Sequence, residues 1–290
     1  MLLNPEPLQA DAAAAGGLRW CVRRTPPPDA RPCLLLLHGT GSSGLSWAGS
    51  AAHLAPTYSL LVPDLPGHGG TDGFADGVAS LPRMARAVAA LLQAQQVSPV
   101  AVVGHSAGAA LMLRLWLDGA LPDARALLSL NGALLPLPGV AGSVFPVLAR
   151  ALTRVPMLPW LAAQAASQPR AVQRLVDSTG SRLGAGEVAH YQGLLRQPSH
   201  LAGALQMMAH WDVTPLVPAL RQRLAREPIP LMLAAGRRDT TVPSAQSEQV
   251  AHALPGALWR PLEGLGHLAH EEAPALVAEL LGELMLRASR

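Results

Sequence analysis

Val100-Ala-Val-Val-Gly-His-Ser-Ala-Gly108, followed by Ala109-Ala-Leu-Met-Leu-Arg-Leu-Trp116, is the stretch on which the fold turns. An apolar β-branched run passes through a tight bend directly into a helical pattern, with Ser106 at the apex. Gly104 and Gly108 flank the serine two residues away on each side, where a Cβ would crowd a sharp turn. Such a bend holds a hydroxyl out of the sheet at a helix N-terminus, where unpaired amide N–H groups can stabilise an oxyanion. The alternative for Ser106 is a serine that merely caps a helix in a fold without chemistry.

Outward from this turn the chain alternates apolar runs with amphipathic segments. Gly17–Arg23 reads as an early strand, and the residues before it, 1–15, read as loosely structured. Cys33–Leu37 and Ser59–Pro63 are short and wholly apolar, as expected of strands buried on both faces of a parallel sheet. Ser80 reads as the N-cap of a helix reaching Gln96. Ala126–Leu130, Ile229–Ala234 and Leu258–Leu262 are further strands, and Pro274 to Arg287 is a closing helix. The strand–helix rhythm breaks after Gly132 and resumes near Glu227. The domain division is therefore an α/β core of 1–132 and 227–290 with a helical lid of 133–226, too long an interval for a plain connection. The fold class is α/β, with a mostly parallel sheet, helices on both faces and a helical lid insertion.

Composition narrows the function. Half of the 290 residues are hydrophobic, which supports a large core. All basic residues are arginine, the net charge is only +3, and no basic stripe interleaved with aromatics suggests nucleic acid. Cys21 and Cys33 lack metal or redox spacing and read as buried free thiols of a reducing, cytoplasmic compartment. No secretory signal is visible at the N-terminus, and prolines and arginines interrupt the apolar region Leu127–Ala166 too often for a membrane span. Peripheral contact with a membrane surface stays open.

A serine nucleophile needs a base and a group that orients the base. Asp239 lies in the loop after one late strand and His267 in the loop after the last, so Ser106, Asp239 and His267 stand in the order serine–acid–histidine. Asp239 could instead be only a turn residue ahead of Thr240. The run His267-Leu-Ala-His-Glu-Glu272 is not the H-E-x-x-H pattern of a zinc helix, so no metal and no cofactor are expected. Glu271 and Glu272 read as acids at the N-terminus of the Pro274 helix, Arg237 and Arg238 as surface residues, and His68 and His105 as structural.

With these pieces in place the chain resembles the α/β-hydrolase superfamily from about Arg31 to its end. The resemblance rests on His38-Gly39, Asp64-Leu-Pro-Gly-His-Gly69, the Gly104–Gly108 turn, the Asp239 loop and Gly266-His267. More narrowly it resembles the magnesium-chelatase accessory family of bacteriochlorophyll biosynthesis. That similarity is carried by HGTG at 38–41, GHSAGAA at 104–110, NGALLP at 131–136, HLAGALQMMAHWD at 200–212 and GLGHLAHEE at 264–272. The superfamily implies Ser106 as nucleophile, His267 as general base then acid, and Asp239 as its orienter. It also implies an oxyanion hole from the backbone N–H groups of Thr40 and Ala107. The narrower family implies work at the magnesium-chelatase stage, with chelatase subunits as partners and a site beside photosynthetic membranes.

Leu135, Phe145, Met157, Trp160, Met207, Met208 and Trp211 are candidate lid residues lining an apolar pocket, which would suit a flat tetrapyrrole. They could equally form the lid's own core. Three functions follow: a serine hydrolase of an ester, thioester or amide with an apolar substrate; a non-catalytic porphyrin- or chelatase-binding accessory protein; or a lyase that uses the same triad.

Overall fold

The computed structural model describes residues 8–26, 31–136 and 168–289. Eight strands form one sheet: β1 (Gln9–Ala15), β2 (Leu18–Arg24), β3 (Cys33–Leu37), β4 (Ser59–Pro63), β5 (Ala101–His105), β6 (Ala126–Leu130), β7 (Leu231–Gly236) and β8 (Leu258–Leu262). Their order is β1-β2-β4-β3-β5-β6-β7-β8. β1 and β2 pair antiparallel, as do β2 and β4, and every later pairing is parallel. The expectation that residues 1–15 are loosely structured fails for Gln9–Ala15. Its alanine-rich text shows little period-two alternation because most of β1 faces solvent, but its backbone pairs with β2 over seven positions.

Successive side chains of a strand point to opposite faces, and here the two faces feed two cores. Leu35, Leu37, Val102, Leu127 and Leu233 pack under α2 (Leu81–Ala94), α3 (Ala107–Leu117) and α8 (Ser244–Ala253). Leu34, Leu36, Val103, Leu128 and Met232 pack under α1 (Ala48–Leu54) and α10 (Pro274–Ala288). This double coverage is why the central strands read as unbroken apolar runs rather than as alternating ones. α2 begins one residue after Ser80, as expected, although the Ser80 side chain makes no capping hydrogen bond. Cys21 and Cys33 are half-buried rather than buried.

Between β6 and β7 the described residues hold four helices: α4 (Pro169–Asp177), α5 (Ala185–Leu195), α6 (Pro198–His210) and α7 (Leu216–Leu224). α7 joins the core through Leu216, Leu220 and Leu224. α4 and α5 share a separate small cluster of Val172, Val176, Val188, Tyr191 and Leu194, which closes onto Leu268 beside the predicted catalytic histidine. No helix among the described residues is long and apolar enough to cross a membrane.

Candidate active site

The bend at the end of β5 places Ser106 at φ +54°, ψ −118°, outside the relaxed region for a residue with a Cβ. Three backbone hydrogen bonds hold it there. Its N–H donates to Leu130 O at 3.0 Å, and its carbonyl accepts from Ala109 and Ala133, each at 3.1 Å. A Cβ on Gly108 would fall far inside contact distance of the Leu37 carbonyl oxygen, and one on Gly104 would meet the Gly108 carbonyl. The two glycines are therefore required by close backbone approach. Gly39, whose Cβ position lies 2.9 Å from Ser106 Cβ, brings the Thr40 loop against the same turn. His38 sets that loop by accepting from Leu65 N–H at 2.8 Å while its Nδ1–H donates to Gly39 O at 2.8 Å. Burial lowers the His38 pKa to about 4, so this bracket stays neutral.

Ser106, His267 and Asp239 meet. The Ser106 hydroxyl donates to His267 Nε2 at 3.1 Å, and His267 Nδ1–H donates to Asp239 Oδ2 at 2.8 Å. The other Asp239 oxygen, Oδ1, accepts from the Thr241 and Val242 backbone N–H groups, each at 2.8 Å. With its carboxylate so held, Asp239 fixes the histidine tautomer that leaves Nε2 free to take the serine proton. Thr40 and Ala107 both border the cavity that contains Ser106. Ala107 opens α3, so its N–H is one of the four that no carbonyl within a helix can satisfy.

Two further residues position this group. Asn131, fully buried at φ +49°, donates through Nδ2 to Asp239 Oδ2 at 2.8 Å and to Gly266 O at 3.1 Å. Its signal in the sequence was only a polar residue closing an apolar strand. His105, read as structural, donates Nε2–H to the His267 carbonyl at 2.9 Å and so anchors the backbone of His267. Asn131→Asp would set a second carboxylate against Asp239 Oδ2, where two negative charges repel and one takes up a proton. We expect this variant to lose at least about 100-fold in the rate of serine modification at pH 7, with Asn131→Ala milder, as read by probe-labelling kinetics.

Above Ser106 and His267 lies a cavity of about 800 Å³, within the range of small-molecule sites. Leu135, Met208 and Trp211 line it as expected. Met207 does not: it is fully buried in the core under the sheet's helices, its sulfur accepting from the Thr40 hydroxyl at 3.3 Å. Neighbours on a helix point about 100° apart, so α6 turns Met208 to the cavity and Met207 away from it. Phe145, Met157 and Trp160 lie outside the described residues. Val172, Val176, Leu195, Leu201 and Leu268 complete a mainly apolar wall.

Two expectations about neighbouring side chains need correction. Glu272 does not act through the α10 terminus: its carboxylate accepts from Gly266 N–H at 2.7 Å and Arg182 N–H at 3.0 Å. Glu271 instead shares a 2.6 Å hydrogen bond with the Tyr191 hydroxyl. Arg238, read as a surface residue, is partly exposed and donates to the carbonyls of Gly264 and Gly180 at 3.0 and 2.7 Å. Apart from Gly266, six positions before Glu272, the partners are remote in sequence, so the local pattern could not reveal them.

The sheet order, the strained serine turn and the Ser106–His267–Asp239 relay describe an α/β hydrolase, and residues 34–280 match the model of the alpha/beta hydrolase family. The chain belongs to that family. Among characterised relatives, it is 41% identical over 258 residues to the magnesium-chelatase 30 kDa subunit of Rhodobacter capsulatus, covering 89% of this chain and 88% of the relative. Solved structures of similar fold include a thermophilic esterase from Thermogutta terrifontis, with TM-score 0.71 and 21% identity over 97% of this chain and 99% of that one. Another is the enol-lactonase from Burkholderia xenovorans LB400, with TM-score 0.72 and 17% identity over 95% of this chain and 100% of that one.

Proposed function

We propose that this chain is a serine hydrolase that cleaves an ester, thioester or amide of an uncharged, mostly apolar substrate, and that it acts as an accessory factor at the magnesium-chelatase stage of bacteriochlorophyll biosynthesis. The observation that carries the hydrolase reading is the continuous hydrogen-bond relay from Asp239 through His267 to Ser106 at an apolar cavity.

In this mechanism His267 Nε2 takes the Ser106 proton as Oγ attacks the substrate carbonyl. The resulting oxyanion is held by the N–H groups of Ala107 and Thr40. His267 then returns the proton to the leaving group, and the acyl-enzyme forms. Water, deprotonated by the same nitrogen, attacks the ester, and Ser106 leaves with its proton restored. Asp239 keeps its charge throughout and steadies the imidazolium in both halves.

A second reading is supported by the 41% identity to a magnesium-chelatase subunit: the cavity holds a porphyrin, or the surface a chelatase subunit, without turnover. A fluorophosphonate probe separates the two. The hydrolase reading expects covalent labelling of the parent protein and none of Ser106→Ala, with loss of pigment synthesis in a strain carrying the variant. No labelling of the parent, together with full complementation by Ser106→Ala, would leave the binding reading in its place. Quenching of tryptophan fluorescence by magnesium protoporphyrin tests the porphyrin as occupant, since Trp211 lies on the cavity wall.

A further inference from the structure

The apolar cavity has a polar station that the triad does not use. Ser42, in the loop after β3, and Tyr191, on α5, both line the cavity. The Tyr191 hydroxyl lies 3.3 Å from Ser42 Oγ and 2.6 Å from Glu271 Oε1, and the Glu271 side chain behind it is 3% exposed. A carboxyl group in that position gains nothing from solvent. Three separate elements converge to form the row: the strand-end loop, the lid helix, and α9 (Ala269–Glu272) beside the catalytic histidine.

Among the described residues, the groups facing Glu271 offer no stabilising charge. From its own turn come His270, whose Nε2 is 3.8 Å away, and the Glu272 carboxylate; from α5 come Tyr191 and the Glu187 carboxylate. Burial takes His270 down to about 3, so it is neutral. Burial is the largest effect and pushes Glu271 up to about 8; the Tyr191 hydrogen bond, next in size, opposes it, and the Glu187 and Glu272 charges add lesser upward pushes. Near neutrality Glu271 therefore carries a proton. A protonated carboxyl can donate to the Tyr191 oxygen, which frees the Tyr191 O–H to donate onward to Ser42 or into the cavity. Ionised Glu271 demands the reverse direction: Tyr191 donates back to the carboxylate, and the row presents an acceptor instead.

We infer that Ser42, Tyr191 and Glu271 form a second recognition point, which takes an uncharged hydrogen-bond acceptor, a keto or ether oxygen on the substrate's apolar arm, other than the carbonyl that Ser106 attacks. This deepens the proposed hydrolase function and rests on it for the word substrate, although the binding it describes needs no turnover. A polar oxygen brought into an apolar wall without a donor binds worse than the methylene it replaces. With a donor waiting, the order reverses.

The test uses Ser106→Ala protein and a set of methyl oxodecanoates with the keto group moved from C4 to C8, each compared with methyl decanoate by calorimetry. Every ligand carries an ester for the oxyanion donors, so only the added oxygen differs. At pH 6.5 we expect one keto position to bind several-fold more tightly than methyl decanoate. Adding Tyr191→Phe should reverse that order, leaving methyl decanoate affinity in place as the control for an intact cavity. Raising the pH through about 8 should erase the preference, because Glu271 ionises, whereas Glu271→Gln should retain it at pH 9. Weaker binding of every keto ester than of methyl decanoate would overturn the inference, as would a preference that survives Tyr191→Phe. If Tyr191→Phe loses methyl decanoate binding as well, the contrast between the parent and Glu271→Gln at pH 9 decides. Failure of the hydrolase reading would appear separately, as absent fluorophosphonate labelling.

Discussion

Asp239→Asn is expected to lower the rate of Ser106 acylation by about 10⁴-fold while leaving the protein folded. The reason lies in the fixed orientation of the side chain. Oδ1 accepts two backbone N–H groups, from Thr241 and Val242, so an asparagine there must keep its oxygen on that side. Its NH₂ then faces the Asn131 amide and His267 Nδ1, both of which donate at this point. To avoid a clash of donors, His267 must present a bare Nδ1 and carry its proton on Nε2. An Nε2 that bears a proton cannot accept one from Ser106. Stopped-flow kinetics of fluorophosphonate labelling, with circular dichroism as the folding control, measure this directly. A loss of less than tenfold would mean that Asp239 does not set the tautomer.

The second large effect concerns stability. Gly108→Ala should cost about 3 kcal/mol or more, because the added methyl meets the Leu37 and His38 carbonyl oxygens, which belong to the sheet and the adjoining loop. Side chains can rotate out of the way, but paired backbone cannot. The matched control is Gly282→Ala in α10, where a Cβ meets nothing within 4 Å. There alanine should stabilise by about 1 kcal/mol through its helix propensity. Thermal denaturation of the two variants should therefore move in opposite directions. Equal shifts would show that the serine turn tolerates a Cβ after all.

Much of this architecture could be read from the chain because its chemistry sits where periodicity breaks. Ser106, Asp239 and His267 each follow an apolar strand, and parallel strands deliver their carboxyl ends to one edge of the sheet. Their order along the chain thus carried spatial information. What could not be read depends on packing between distant segments. Asn131 matters because β6 lies beside β7, which brings its amide to Asp239, 108 positions further along. Tyr191 and Glu271 are 80 positions apart and meet only because α5 packs beside the histidine loop. Met207 and Met208 have the same side chain, so composition could not say which would turn inward; α7 and the core beneath α6 decide that. The first strand was missed because an alanine-rich segment exposed to water has no apolar alternation to show, and its pairing with β2 supplies the structure instead.

The turn that follows α4 has a consequence for how ligands reach the serine. Thr179 O accepts from the backbone N–H groups of His267 and Thr240, at 3.2 and 3.4 Å, and Ser181 Oγ accepts from Leu268 N–H at 2.8 Å. This turn is thus riveted to the two loops that carry His267 and Asp239. A flap that swung open at this corner would tear the relay apart with every cycle. Ligand entry at another margin would leave these hydrogen bonds, and the relay, intact. The same rivets mean that grafting a foreign cover onto this core would disturb proton transfer even if the new cover never touched the ligand.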